Sequence, residues 1–241
     1  MPRGKSQTVL IEYAGQQIPV TLEFRERKRL SISVHPDCSV TALAPADRPF
    51  DDVLTHLRQR RSWIAKQRRH FEQFQPLAPG KQYVSGETHL YLGRQYRLRI
   101  RPGEEAAVKL VGRFLNVHVP CSKEPAAVRA ALDVWYRAHA EPIFQGTLSR
   151  CLESARSLRL SEVRLTIRPM KGRWGSCSKA GRISLNPELV KTPLHCIEYV
   201  IMHELCHLRL HDHSPGFFRL LQRCMPDWQR RKERLDSIVL R

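Results

Sequence analysis

The sequence contains no run approaching the roughly 18 consecutive apolar residues that a membrane-spanning helix requires. Its first residues, Met1-Pro2-Arg3-Gly4-Lys5, lead into alternating rather than continuous apolar positions, so we expect a soluble, unexported, cytoplasmic protein with no membrane partner. Close cysteine pairs are also missing. The seven cysteines, at 38, 121, 151, 177, 196, 206 and 224, form no Cys-x-x-Cys, which argues against a disulfide framework or a cysteine-only zinc knot and for reduced thiols. Acidic residues are scarce, 23 against 41 Lys and Arg, giving a formal net charge of +18. The imbalance is even: residues 1–121 carry 20 basic and 11 acidic residues, residues 122–241 carry 21 and 12, so there is no detachable basic tail. Such a charge fits either an arginine-rich solvated surface or a nucleic-acid partner, and composition does not choose.

What is present is a chain of 241 residues, 41% hydrophobic, long enough to bury a core without covalent staples. Period-two alternation from Thr8 to Phe24 around Ala14-Gly15 predicts a hairpin, and Leu30 to Val34 and Ser39 to Ala44 predict two further antiparallel strands about Pro36-Asp37. A helix is expected from Asp47 or Phe50 to about Phe74. Its outer face carries Arg58, Arg60, Arg61, Lys66, Arg68 and Arg69, a phosphate-contacting stripe or simply a solvated face. Pro76 and Pro79-Gly80 end that element as a short loop. Strand patterns return between Lys81 and Val119, notably His89 to Leu92 and Tyr96 to Ile100. A long amphipathic helix is expected from Pro125 to about Ser154, with Pro142 as a kink point. A strand over 161–169, a loop around Trp174 and a strand over Arg182 to Asn186 follow. Thr192-Pro193 then reads as an N-cap and first helical residue of a helix running to about Leu210. The expected fold is α+β: a β-rich subdomain with one helix over 1–121, packed on a helical domain with a small sheet over 122–241.

The chemistry lies in His203-Glu204-Leu205-Cys206-His207. Two imidazoles four residues apart share a helix face, and Glu204 stands one step round from His203, so the pair is suited to zinc and the carboxylate to a water beside it. Hydrolytic zinc sites use three protein ligands and leave a position open. His211 lies about 12 Å from His203 along a straight helix, too far to converge. His213 can reach if the chain turns, and Ser214-Pro215 supply a new N-cap and first turn to make it do so, so His213 ranks above His211 as the third ligand. Glu204 is the expected general base, taking a proton from the zinc-activated water and passing it to the departing amine. Cys206 lies off the ligand face and is expected to pack in the core. Cys177 is read as a structural thiol in preference to an inhibitory fourth ligand or a redox-sensitive site. His195 and Tyr199 are expected to pack or face solvent.

The strings Arg173-Trp174-Gly175-Ser176-Cys177, Ile183-Ser184-Leu185-Asn186, His203 to His207 and His213-Ser214-Pro215-Gly216-Phe217-Phe218, with Tyr91-Leu92-Gly93-Arg94-x-Tyr96 upstream, resemble the YgjP-like metallopeptidases, relatives of the SprT and Wss1 proteases. The resemblance implies a zincin-like catalytic half with His203, His207 and His213 as ligands, Glu204 as base and the Trp174 loop near the active site. Family members often carry asparagine before the third histidine, where this chain has Asp212. The expected function is a zinc endopeptidase acting on protein or peptide, with the strand Arg182 to Asn186 offering its edge to the substrate. Two alternatives stand beside it: a DNA-binding protein whose cleavage is directed at DNA-associated or DNA-crosslinked proteins, and a non-catalytic zinc module.

Overall fold

The computed structural model describes residues 6–35, 37–72, 80–120, 124–160, 162–170, 172–178 and 180–238. Pro36, Phe74, the loop marked by Pro76 and Pro79, Cys121, Ser161, Lys171 and the His70 side chain fall outside this description. The fold is α+β and divides into two compact units, residues 1–79 and 80–240. The division expected at 121 therefore moves upstream, because the second sheet shares its core with the helices that follow it.

In the first unit, β1 (Ser6–Tyr13) and β2 (Gln16–Arg25) form the expected hairpin. Ala14 and Gly15 both take positive φ, 51° and 75°, as a tight two-residue hairpin turn requires. β3 (Ser31–Val34) pairs antiparallel with β4 (Val40–Pro45), and β4 lies parallel beside β2, giving the order β1-β2-β4-β3. The expected single helix is two, α1 (Phe50–Gln59) and α2 (Arg61–Glu72), broken at Arg60, so its cations do not form one continuous stripe. Val53, Leu57 and Ile64 bury against Ile18, Val20, Leu22, Val40, Ala42 and Ala44.

The second unit repeats this plan. β5 (Thr88–Tyr91), β6 (Arg94–Pro102), β7 (Ala107–Val111) and β8 (Phe114–Val119) form a sheet of order β5-β6-β8-β7, again with its inner strands parallel. The turn Leu92-Gly93 has the φ values of Ala14-Gly15, 48° and 76°. Tyr13-x-Gly15-x-Gln17 corresponds to Tyr91-x-Gly93-x-Gln95, and Val53-x-x-x-Leu57 after the first sheet corresponds to Val128-x-x-x-Leu132 after the second. All four of those helix residues are buried in their own cores. The chain thus carries a duplicated four-stranded sheet followed by a helix, hidden in the sequence because few side chains beyond the turns and buried positions agree.

The second copy's helix, α3 (Pro125–Ser154), continues through Pro142 and buries Val128, Leu132, Tyr136, Phe144 and Leu148. Each fully buried side chain of this kind stabilises by about 1.5–3 kcal/mol. Its Tyr136 hydroxyl donates to Leu90 O at 2.9 Å, tying helix to sheet. Beyond it, β9 (Arg164–Ile167), β10 (Gly175–Cys177) and β11 (Arg182–Leu185) form a third sheet of order β10-β11-β9. β11 is its central strand, so the edge expected of Arg182 to Asn186 is already paired on both sides, and among the described residues β10 is an edge strand instead. A short 3-10 turn, Pro187–Lys191, leads into α4 (Leu194–His207), which is followed by α5 (Pro215–Cys224) and α6 (Trp228–Asp236). α4 begins one residue later than expected. Pro193 occupies its N-cap position and makes no side-chain cap, while the Thr192 hydroxyl donates to Leu189 O at 2.8 Å. The Leu92-Gly93 turn docks just before α4, with Leu92 N–H donating to Val190 O at 2.9 Å and Gly93 N–H to Lys191 O at 3.0 Å.

Candidate metal centre

α4 is held by its apolar positions. Ile197, Val200, Ile201, Leu205 and Cys206 are buried in the main core, which leaves His203 and His207 half-buried on a rigid support. The helix stops at His207, three residues short of expectation. Leu208, Arg209 and Leu210 close back on Leu205 and Cys206 carbonyls, and the Arg209 guanidinium donates to Leu158 O at 2.5 Å and Arg159 O at 2.6 Å. That anchored turn reverses the chain so that His213, just before α5, returns to the α4 face. Ser214 occupies the α5 N-cap position and Pro215 its first turn, although the serine side chain makes no capping bond.

The result is a three-imidazole cluster. Nε2 of His207 lies 3.1 Å from Nε2 of His203 and 3.2 Å from that of His213, and the last two are 3.1 Å apart. Three ring nitrogens at mutual contact cannot satisfy one another, since each brings either one proton or one lone pair. A tetrahedral ion with Zn–N distances of about 2.0–2.1 Å would separate its ligands by about 3.3 Å, so the set fits a small transition-metal ion such as zinc. Among the described residues, the His, Cys, Asp and Glu side chains that could hold a metal as a group are His203, His207 and His213. His211 and Cys177 are not in the cluster.

Surrounding groups orient the rings. Nδ1 of His207 is 3.0 Å from Leu210 O, which favours the proton on Nδ1 and a free lone pair on Nε2. Phe217, fully buried on α5, stacks on His207 at 4.5 Å and meets His203 at 4.9 Å and His213 at 5.0 Å edge-on. Burial pushes the His203 pKa down to about 3, aided by the other two histidines, which keeps it neutral. Its Nδ1 is buried without a hydrogen-bond partner.

Glu204 is only 7% exposed, and burial raises its pKa to about 7 while Arg173 draws it the other way. Gly175 makes its position possible. A Cβ there would lie 2.9 Å from Glu204 Oε1 and 3.0 Å from Val200 Cγ1, so the β10 backbone rests directly on the carboxyl group. Asn186, 2% exposed, fixes the approach: its Nδ2 donates to Met170 O at 2.9 Å and Arg173 O at 3.0 Å, and its backbone N–H to Trp174 O at 2.9 Å. The Trp174 loop is thereby brought beside α4. Asn186 and Arg173 had no assigned role in the sequence, although each lies in a recognised motif string. Cys177 is half-buried near Glu204, and burial raises its thiol pKa to about 11. Cys206 is buried in the core and hydrogen-bonded to Cys224. Tyr199 is buried with its ring 5.8 Å from that of His203, and His195 is exposed.

Three converging imidazoles beside a buried carboxyl, two of them on its helix, could hold a metal ion with an acid–base group next to it. Residues 28–238 match the family model of the YgjP-like metallopeptidase domain, and the chain belongs to that family. No curated protein matches it. Among solved structures it is similar to the zymogen of the metallopeptidase abylysin of Pyrococcus abyssi, at 24% identity over 38% of this chain and 90% of that one, with a TM-score of 0.35. The metallopeptidase zymogen jannalysin of Methanocaldococcus jannaschii is similar at 21% identity over 38% of this chain and 86% of that one, with a TM-score of 0.33.

Proposed function

We propose that the protein is a zinc-dependent endopeptidase in which His203, His207 and His213 hold the ion and Glu204 is the general base. The observation that carries this reading is the meeting of three Nε2 atoms at 3.1–3.2 Å on the helix face next to Glu204. Zinc bound there supplies Lewis-acid polarisation of the scissile carbonyl and lowers the pKa of the attacking water. Glu204 accepts that water's proton and delivers it to the departing amine. In the metal-free site burial raises its pKa to about 7, which makes the carboxyl a stronger base than an exposed one. Phe217 and the Leu210 carbonyl keep the imidazoles in position, and the lack of a side chain at Gly175 leaves room for the carboxyl.

The β10 edge gives the substrate its track. Gly175 to Cys177 pair with β11 on one side only, and Gly175 touches Glu204, so an extended peptide added to the open side would pass the base while its main chain pairs with β10. Main-chain pairing places few demands on sequence and suits cleavage within a chain. The Cys177 thiol stands outside the imidazole cluster, which disfavours a closed four-ligand structural zinc site.

The test is the Glu204→Gln variant, with zinc content measured by elemental analysis and cleavage of an unfolded protein followed by mass spectrometry. Zinc is expected to stay near one per chain while cleavage falls by at least about a hundredfold, the scale of general-base catalysis. Full cleavage by the zinc-loaded variant would refute the assignment.

A further inference from the structure

The outer face of the β5–β8 sheet carries a second, unrelated chemistry. On β6 the residues alternate Arg97, Leu98, Arg99, Ile100, Arg101. Leu98 is 1% exposed in the core, which turns the three arginines to the open face, where all are exposed. Strand geometry repeats them about every 6.7 Å, in a line about 13 Å long. The register sets Arg97 between Thr88 and Phe114, Arg99 beside Asn116, and Arg101 beside His118, while Lys109 flanks Asn116 on its far side. These positions hold four permanent cations, hydrogen-bonding side chains and the Phe114 ring, with Leu90, Ala107 and Val111 at the margins. They include no carboxylate; Glu104 and Glu105 sit in the turn between β6 and β7. Among the described residues none of Arg97, Arg99, Arg101 and Lys109 is in an ion pair.

The duplicated sheet is an internal control. At the places of Arg97, Arg99 and Arg101 the first copy has Pro19, Thr21 and Glu23, so the fold needs no arginine at these positions. Uncompensated like charges on adjacent outward positions repel one another, and a polyanion laid along the strand removes that repulsion. The Arg99 guanidinium also lies over the Phe114 ring, with Cζ 3.1 Å from the centroid. Its outer plane is left as a platform on which an unpaired base can stack.

We propose that this face binds single-stranded nucleic acid, with Arg97, Arg101 and Lys109 on phosphates and the Arg99–Phe114 pair under a base. A single strand fits better than a duplex because the cations follow one line on an open sheet and the platform calls for an unstacked base. The inference is independent of the peptidase reading.

The test is fluorescence anisotropy of a labelled single-stranded oligonucleotide of mixed sequence, titrated with the full-length protein from low to moderate salt. Two variants lose the same charge: R97S/R99S/R101S on the sheet, and R58S/R61S/K66S on α1 and α2. The sheet variant is expected to bind at least tenfold more weakly, with a log K against log salt slope shallower by about 1.4, since it removes two single-strand phosphate contacts and each contributes about 0.7. The helix variant is expected to change several-fold less. Arg97, Arg99 and Arg101 replaced together by lysine should keep the slope and lose part of the affinity, and this holds even if the serine variant folds poorly. Equal losses in the sheet and helix variants, tighter binding of a duplex of equal length, or equal displacement by polyglutamate would each overturn the proposal.

Discussion

Replacing Glu204 by glutamine should stabilise the metal-free protein, and more so as pH rises. In the folded chain the carboxyl is buried, with a pKa raised to about 7 from its ordinary 4.5. Between these values the folded state keeps a proton that the unfolded chain has released, so stability falls as pH rises through the window and the loss is complete above pH 7. The gap corresponds to about 3 kcal/mol at pH 8 and about 1 kcal/mol at pH 5. Glutamine has nearly the same shape and no charge to bury, so the variant escapes this penalty. Burial also holds His203 at about 3, which weakens the fold as pH falls below about 6.5, but both proteins share that effect and it cancels in their difference. Chelator-treated wild type and variant would be unfolded in urea at pH 5 and pH 8. The variant's advantage should grow by about 2 kcal/mol between the two, and at pH 8 its melting temperature should be higher by about 6–12 °C. An advantage that does not change with pH, or a variant less stable at pH 8, would show that Glu204 is solvated or paired and would undo the account of its raised pKa.

His213→Ala should weaken zinc binding by more than about a hundredfold in competition with a chromophoric chelator, whereas His211→Ala should leave it within about threefold, since only the former removes a converging nitrogen. Gly93→Ala and Gly15→Ala impose the same positive φ, but only at Gly93 would a Cβ meet Pro193, 2.6 Å from its Cγ and 3.0 Å from its Cα. Urea denaturation should show a loss of about 1 kcal/mol at Gly15 and at least about 2 kcal/mol more at Gly93. Gly175→Ala should retain zinc and lose most cleavage, because the added methyl displaces Glu204; unchanged kcat/KM would contradict the close approach of β10. A truncation beginning at residue 122 should express as an aggregating protein, because it uncovers Val128, Leu132 and Tyr136, whereas one beginning at residue 80 keeps them covered; size-exclusion chromatography distinguishes the two.

Local patterns with strong periodicity carried far into the structure. The hairpins, α3 through Pro142 and α5 after Ser214-Pro215 all follow from alternation, helical recurrence and proline placement. The convergence of His213 with His203 and His207 was legible for a physical reason, since a straight helix could not deliver His211 and a proline-marked restart could deliver His213. Where the reading failed, no residue type marked the deciding contact. The break at Arg60 has no proline or glycine to announce it. The strand Arg182 to Asn186 became central because Gly175 to Cys177, a three-residue strand in a glycine-bearing loop, pairs beside it. Thr192 looks like a cap, but its hydroxyl bonds backward to Leu189. The boundary at 121 was misplaced because apolar alternation in β6 and β8 reports that a core exists without saying which helix completes it.

The duplicated sheet separates two jobs that a protein surface usually has to reconcile. Its inward positions, such as Val20 and Leu98, are apolar in both copies, while the outward positions hold Pro, Thr and Glu in one and a row of arginines in the other. Interior and exterior therefore vary as independent alphabets. A designer could transplant the outward letters of one copy onto the other while leaving Val20, Leu22 and Leu98 in place, and ask whether the proposed binding moves with them.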